Sequence, residues 1–263
     1  MRLRPCIDIH NGRVKQIVGG SLRDEGDRAA ENYVADLDAG FYADLFRKDR
    51  LEGGHIILLN PRTSPYYEAT REQALLALKH FPGGMMVGGG ITPDTAKDWL
   101  DAGASHVIVT SYVFADGRIV YDHLEKIVRT AGQRHLVLDL SCRKRDGRYF
   151  IVTDRWQNFT ETEVTPHLLS DLAAFCDEFL VHGVDVEGKS AGADEELIGI
   201  LSSMDGFPVT YAGGIASFED MDRIREISGC AVDVTIGSAL SIYGGPLSYE
   251  SVVSYFRKQA DGR

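Results

Sequence analysis

Two aspartates close short apolar runs, Cys6-Ile7-Asp8 and Val137-Leu138-Asp139. A charge at the end of an otherwise apolar segment is costly unless it meets water or a partner. Each carboxylate therefore marks either a loop anchor or a solvated functional mouth. Behind each follows a glycine turn that opens a helical stretch, Val87-Gly88-Gly89-Gly90-Ile91 in one case and Tyr211-Ala212-Gly213-Gly214-Ile215 in the other. Glycine lets the backbone approach a ligand closely, and a helix start offers unpaired N–H groups and about half a positive charge. Such a turn can hold a phosphate without a lysine.

Gly214 lies 124 residues after Gly90, and Asp139 lies 131 after Asp8. The near-equal offsets point to a duplicated half, each contributing one carboxylate and one phosphate cradle. Each turn is also followed by a strand with a matching end, Val109-Thr110-Ser111 or Ile236-Gly237-Ser238. Adjacent parallel strands would set Gly89 and Gly90 beside Thr110 and Ser111, and Gly213 and Gly214 beside Gly237 and Ser238. Two acids between two anion sites describe acid–base chemistry on a small molecule with two phosphates.

The elements that must position these groups alternate along the chain. Short β-branched or aliphatic runs predict strands over 3–9, 55–60, 85–88, 106–110, 135–140, 178–183, 208–212 and 232–236. Between them, spacings of three and four predict helices, as at Ala96, Trp99 and Leu100, at Leu124, Ile127 and Val128, at Leu168, Leu172 and Cys176, and at Leu197, Ile200 and Leu201. Thr92-Pro93-Asp94 and Ser217 with Asp220 read as helix starts, and Gly103 and Gly132 as helix ends. Eight βα units in 263 residues predict an α/β fold, a single (β/α)8 TIM barrel over 1–263 made of two similar half-barrels. An open doubly wound sheet is the weaker reading, because no Gly-x-Gly-x-x-Gly follows the first strand. Two connections exceed a minimal unit, 11–54 and 141–163. Both follow strands that carry an aspartate, and in a barrel both would lie over the C-terminal face; Gly19-Gly20-Ser21 and the polar stretch after it read as a loop over the site, and 148–153 as part of a hairpin.

With 39 acidic and 28 basic residues the formal charge is −11, which argues against nonspecific binding of nucleic acid or anionic membranes. An anionic ligand must then be held by local devices. Cys6, Cys142, Cys176 and Cys230 show no Cys-x-x-Cys spacing, so free thiols in a reducing cytosol are expected rather than a metal site. No apolar run reaches membrane-spanning length, and the expected location is cytoplasmic. Three further residues carry weaker signals. Trp156 is a candidate to stack on a planar heterocycle, His182 is a rim or core histidine, and Arg143 is either a phosphate-neutralising group or part of a solvated turn.

Taken together, these residues resemble the histidine-biosynthesis isomerases that act on phosphoribosylformimino-5-aminoimidazole carboxamide ribotide, particularly their eukaryotic-type branch. The resemblance runs through Pro5-Cys-Ile-Asp-Ile-His10, Gly53-Gly-His-Ile-Ile57, Trp99 to Ser111, Val137-Leu-Asp-Leu-Ser-Cys-Arg143, Asp177 to His182, Asp185-Val-Glu-Gly-Lys189 and Asp233 to Leu240. It implies a monomeric, cofactor-free barrel that performs an Amadori rearrangement, turning an aminoaldose into an aminoketose on a bis-phosphorylated substrate. In that likeness Asp8 matches the base, Asp139 the acid and Trp156 the stacking residue. The bacterial form's aspartate at the end of strand two is replaced by the Leu59-Asn60 region, its Asp-Gly-Thr loop after strand six reads Glu187-Gly188-Lys189, and its strand-six threonine is His182. The competing expectations are the cyclase subunit of imidazole glycerol phosphate synthase and a noncatalytic sugar-phosphate-binding barrel. The cyclase family's lysine eight residues after its first aspartate is Gln16 here.

Overall fold

Eight parallel strands form the centre of the structure, a computed structural model that describes residues 1–23, 25–189 and 192–261. They are β1 (Cys6–His10), β2 (Gly54–Leu58), β3 (Met85–Gly88), β4 (Val107–Val109), β5 (Leu136–Asp139), β6 (Glu178–His182), β7 (Val209–Ala212) and β8 (Val232–Thr235). Each pairs with the next in chain order. The ring closes where Leu3, just before β1, bridges Val234 of β8, with Arg4 N donating to Val234 O at 2.8 Å and Val234 N to Arg2 O at 3.0 Å. The eight strands thus close into a barrel, which answers the near-continuous apolar character of strands buried on both faces. β1 and β5 stand four strands apart, on opposite sides of the ring.

Around it pack α1 (Ala39–Lys48), α2 (Tyr67–His80), α3 (Pro93–Asp101), α4 (Tyr121–Ala131), α5 (Pro166–Leu172), α6 (Glu195–Leu201), α7 (Phe218–Ser228) and α8 (Tyr249–Asp261). Helix starts follow the chemistry of the chain. Ser217 Oγ accepts from Asp220 N at 3.1 Å while Asp220 Oδ2 accepts from Ser217 N at 2.9 Å, a reciprocal cap that fixes where α7 begins relative to Gly214. Thr92 caps α3 with Pro93 in its first turn. α5 stops at Leu172, so Cys176 lies beyond it rather than on it; its thiol turns back to Leu172 O at 3.6 Å.

The barrel interior is layered. At the N-terminal end Arg4 lies between Glu178 (3.3 Å) and Asp233 (3.0 Å), and all three side chains are buried. Above them Met86, Ile108, Val137 and Leu180 form an apolar plug. Above that the lining turns polar.

The long 11–54 connection, expected to run as a loop from Gly19 on, is strand in part. Arg13–Ile17 pairs antiparallel with β1 and then with Glu31–Val34, extending the sheet beyond the barrel. The reason is long-range: Lys15 Nζ meets Glu31 Oε1 at 2.5 Å, and Gln16 Nε2 reaches Cys6 Sγ at 3.8 Å, so a polar-looking stretch is held as a strand. The 141–163 excursion is larger than a hairpin, with Cys142–Arg145, Arg148–Thr153 and Asn158–Glu163 forming a three-stranded antiparallel sheet. Asp24, within the 11–54 connection, and Ser190, Ala191, Gly262 and Arg263 lie outside the described residues.

Candidate active site

A cleft crosses the C-terminal mouth of the barrel in two joined parts. The larger, about 310 Å³, is lined by Gly89 and Gly90, by Thr110 and Ser111, and by Asp139 and Trp156, among others. The smaller, about 20 Å³ and so room for one water, is lined by Gly213, Gly214, Gly237 and Ser238. Three residues line both parts: Asp8, His182 and Glu187. The two glycine turns thus open onto one elongated cleft with Asp8 at its waist, and Asp139 faces the larger part from the opposite strand. Of the residues singled out from the chain, Arg143 alone stays away from the cleft; its Nε pairs with Asp185 Oδ1 at 2.8 Å and its guanidinium lies over the Phe159 ring.

The first cradle shows why glycine is required. Gly89 has φ +109°, and a Cβ there would sit 2.3 Å from Leu58 O. Gly90 has φ +69°, yet beyond its chain neighbours nothing among the described residues lies within 4 Å of where its Cβ would be. That direction is the cleft. We expect Gly90→Ala to raise KM for a phosphorylated ligand tenfold or more while costing only about 1–2 kcal/mol of stability from the left-handed backbone; Michaelis kinetics beside thermal melts check this. At the second cradle a Cβ on Gly237 would lie 2.3 Å from Gln16 Oε1, and one on Gly213 would lie 3.3 Å from Glu187 Oε2. The side chains of Gln16 and Glu187 therefore cap it.

The carboxyls at the waist are shaped by burial. Asp8 keeps some exposure through the cleft but is otherwise enclosed, and burial pushes its pKa up to about 7. Glu187 is pushed up to about 8, first by burial and then by the charge of Asp8, against the lowering effect of the Gly188 N–H. Cys6, beneath them, is raised by burial and by both carboxylates. Glu187 is placed by the backbone of the first excursion: Gly19 N donates to Glu187 O at 3.1 Å, and Asn32 Nδ2 to Gly188 O at 3.0 Å.

Asp139 sits in a different environment. Its Oδ1 accepts from Ser141 N at 2.8 Å and also from Ser141 Oγ. Ser141 Oγ in turn meets His182 Nδ1 at 2.9 Å and accepts from His182 N at 3.1 Å. The His182 ring lies 5.2 Å from that of Trp156 and 5.7 Å from that of His55. Burial lowers the His182 pKa, with Asp139 working against it, and lowers that of His55 to about 3. Among the site residues to which the chain alone assigned no role are Glu187, Ser141, His55 and Gln16, and with them Arg62 and Arg155 of the larger part. Glu187 stood out there only as a departure from the bacterial loop.

The chain is similar to known proteins along nearly its whole length. The family described as histidine biosynthesis protein matches residues 2–247. A chloroplastic 1-(5-phosphoribosyl)-5-((5-phosphoribosylamino)methylideneamino) imidazole-4-carboxamide isomerase of Medicago truncatula is 49% identical, covering 98% of this chain and 83% of its own length. Isomerases of the same name from Neurospora crassa and Saccharomyces cerevisiae are 42% and 38% identical, covering 98% and 97% of this chain and 99% and 97% of their own lengths.

Proposed function

The chain belongs to the histidine biosynthesis protein family and is an isomerase within it, and from that premise we propose how its cleft performs the reaction. The substrate is the aminoaldose named in its relatives, an imidazole carboxamide ribotide joined to a second phosphoribosyl group. Its two phosphates occupy the cradles at Gly89, Gly90, Thr110 and Ser111 and at Gly213, Gly214, Gly237 and Ser238. Trp156 stacks on the imidazole. The observation that carries this reading is that Asp8 lines both parts of the cleft, between the two cradles.

An Amadori rearrangement opens the ribose by protonating its ring oxygen, removes the C2 proton of the iminium, and returns a proton to C1. Asp139 gives the first proton and Asp8 takes the second and delivers it to C1. A carboxylate titrating near 7 is well matched to that task at neutral pH. Holding both phosphates aligns the reacting ribose and supplies much of the remaining rate as orientation. The reaction needs no cofactor on this account. Before the second phosphate can enter, the Gln16 and Glu187 side chains must swing out of its cradle. The protein acts as a monomer in the reducing cytosol, although its plant relative is named chloroplastic.

One observation favours a second proton donor. Glu187 titrates near 8, so it holds a proton at neutral pH, and it lines both parts of the cleft. Asp139→Asn and Glu187→Gln separate the two readings in single-turnover assays. With Asp139 as donor, Asp139→Asn slows conversion about 10²-fold or more while Glu187→Gln changes chiefly KM; the reverse pattern transfers the role to Glu187. The isomerase reading itself is tested by incubating the purified protein with the aminoaldose and following product absorbance. Turnover without ammonia or a glutaminase partner is expected, whereas a requirement for either would favour the cyclase.

A further inference from the structure

Isomerisation leaves one proton unaccounted for by the two aspartates. The enolamine formed after C2 deprotonation becomes the aminoketone only when its C2 hydroxyl loses its proton. We propose that His182 is a third catalytic residue, taking that proton at Nε2 and returning it through Ser141 to Asp139. The proposal rests on the isomerase reading.

The hydrogen-bond pattern fixes the tautomer. Ser141 Oγ has one proton, which it donates to Asp139 Oδ1. Pointing it at His182 instead would turn the serine lone pairs against Asp139 Oδ1, which also accepts from Ser141 N at 2.8 Å, so the acid proton of Asp139 lies on Oδ2. Ser141 Oγ must then accept at 2.9 Å from His182 Nδ1, as it does at 3.1 Å from the His182 backbone N–H. Nδ1 carries the hydrogen, so in the neutral ring Nε2 is left as an acceptor. Burial favours that neutral form. No side chain of the protein takes Nε2 as a partner among the described hydrogen bonds, and His182 lines both parts of the cleft beside Asp8. The ring is held by Trp156 on one side and His55 on another.

The protons balance. Asp139 gives one to the ring oxygen as the C1–O bond breaks; Asp8 takes one from C2 and places it on C1. As the C2–O bond becomes a carbonyl, its hydroxyl proton passes to His182 Nε2, the Nδ1 proton to Ser141 Oγ, and the Ser141 proton to Asp139. Asp139 is recharged, and nothing is oxidised or reduced.

The tautomer is read directly from two-bond ¹⁵N–¹H correlation spectra of the wild-type protein at pH 7.5. A neutral His182 with hydrogen on Nδ1 is expected, and hydrogen on Nε2 overturns the relay. In turnover with the aminoaldose, His182→Phe keeps the aromatic contacts and should lower kcat about 10²-fold with KM within about threefold. Ser141→Ala keeps the imidazole and should lower kcat about tenfold, with the tautomer preference lost in the same spectra. Wild-type turnover with a His182→Phe kcat within threefold overturns the relay alone. A wild type that converts no aminoaldose overturns the isomerase reading along with it.

Discussion

Asp8→Asn should lower kcat about 10²- to 10⁴-fold and, at the same time, make the protein more heat-stable at pH 8. Both follow from one placement. Asp8 stands at the waist of the cleft, where burial raises its pKa from 3.8 to about 7. Between those two values the folded state holds a proton that the unfolded state has released. The stability this group contributes is full below about pH 4 and is lost as pH rises through 7. At pH 8 the wild type carries the cost of an enclosed charge, while asparagine, similar in shape, carries none. A Tm gain of about 5 °C at pH 8 that vanishes near pH 4 is expected. Melts across that range, with kcat measured on the same samples, check it; a variant less stable at pH 8 would mean that Asp8 anchors the fold. The pH profile of the wild type follows as well, with kcat/KM rising toward a plateau as pH passes about 7.

The second large effect lies at the other end of the barrel and concerns stability alone. Arg4 donates to Asp233 at 3.0 Å, to Glu178 at 3.3 Å and to Glu52 O at 3.1 Å, and Thr210 Oγ1 donates to Glu178 Oε1 at 2.6 Å. Arg4→Ala removes the charged donor that lies between the two carboxylates and leaves buried Glu178 without its ion pair, while Asp233 keeps Arg2 Nε at 2.9 Å. Breaking a buried pair from one side costs about 3–5 kcal/mol, a large part of a typical total of 5–15. A fall in Tm of about 10 °C or more is expected, with KM unchanged in whatever remains folded. Replacing the cluster together, as Arg4→Met with Glu178→Gln and Asp233→Asn, should recover most of the loss, because the stranded charges are then gone. If the single and triple variants melt alike, the cluster's cost lies in packing instead.

Much of the barrel was readable from local pattern. Met85–Gly88 matches its expected bounds, and the other seven strands differ from theirs by at most three residues at either end, because strands buried on both faces are continuous apolar runs that Gly, Pro and charge punctuate. The Ser217–Asp220 cap was equally legible, since both partners lie within one turn. What local pattern does not contain is pairing at a distance. Arg13–Ile17 is held as a strand by partners as distant as Glu31 and Cys6. Arg143 reads as either a phosphate-neutralising group or part of a turn until Asp185, 42 residues on, claims it. Glu187 acquires its character from burial that only the closed ring provides and then from Asp8, on a strand at the far end of the chain. The paired aspartates and glycine turns stood out because duplication repeats them in register, a signal that a lone residue such as His182 lacks.

In the proposed reaction one elongated ligand spans both cradles with its reacting ribose over Asp8. A crystal structure with the bis-phosphorylated aminoketose bound tests it most directly. One phosphate is expected against Gly90, Thr110 and Ser111, the other against Gly214, Gly237 and Ser238 with Gln16 and Glu187 withdrawn, and the Asp8 carboxylate within about 3.5 Å of the C1–C2 bond. A ligand with both phosphates in one half of the cleft, or with its C1–C2 bond out of reach of Asp8, would contradict it.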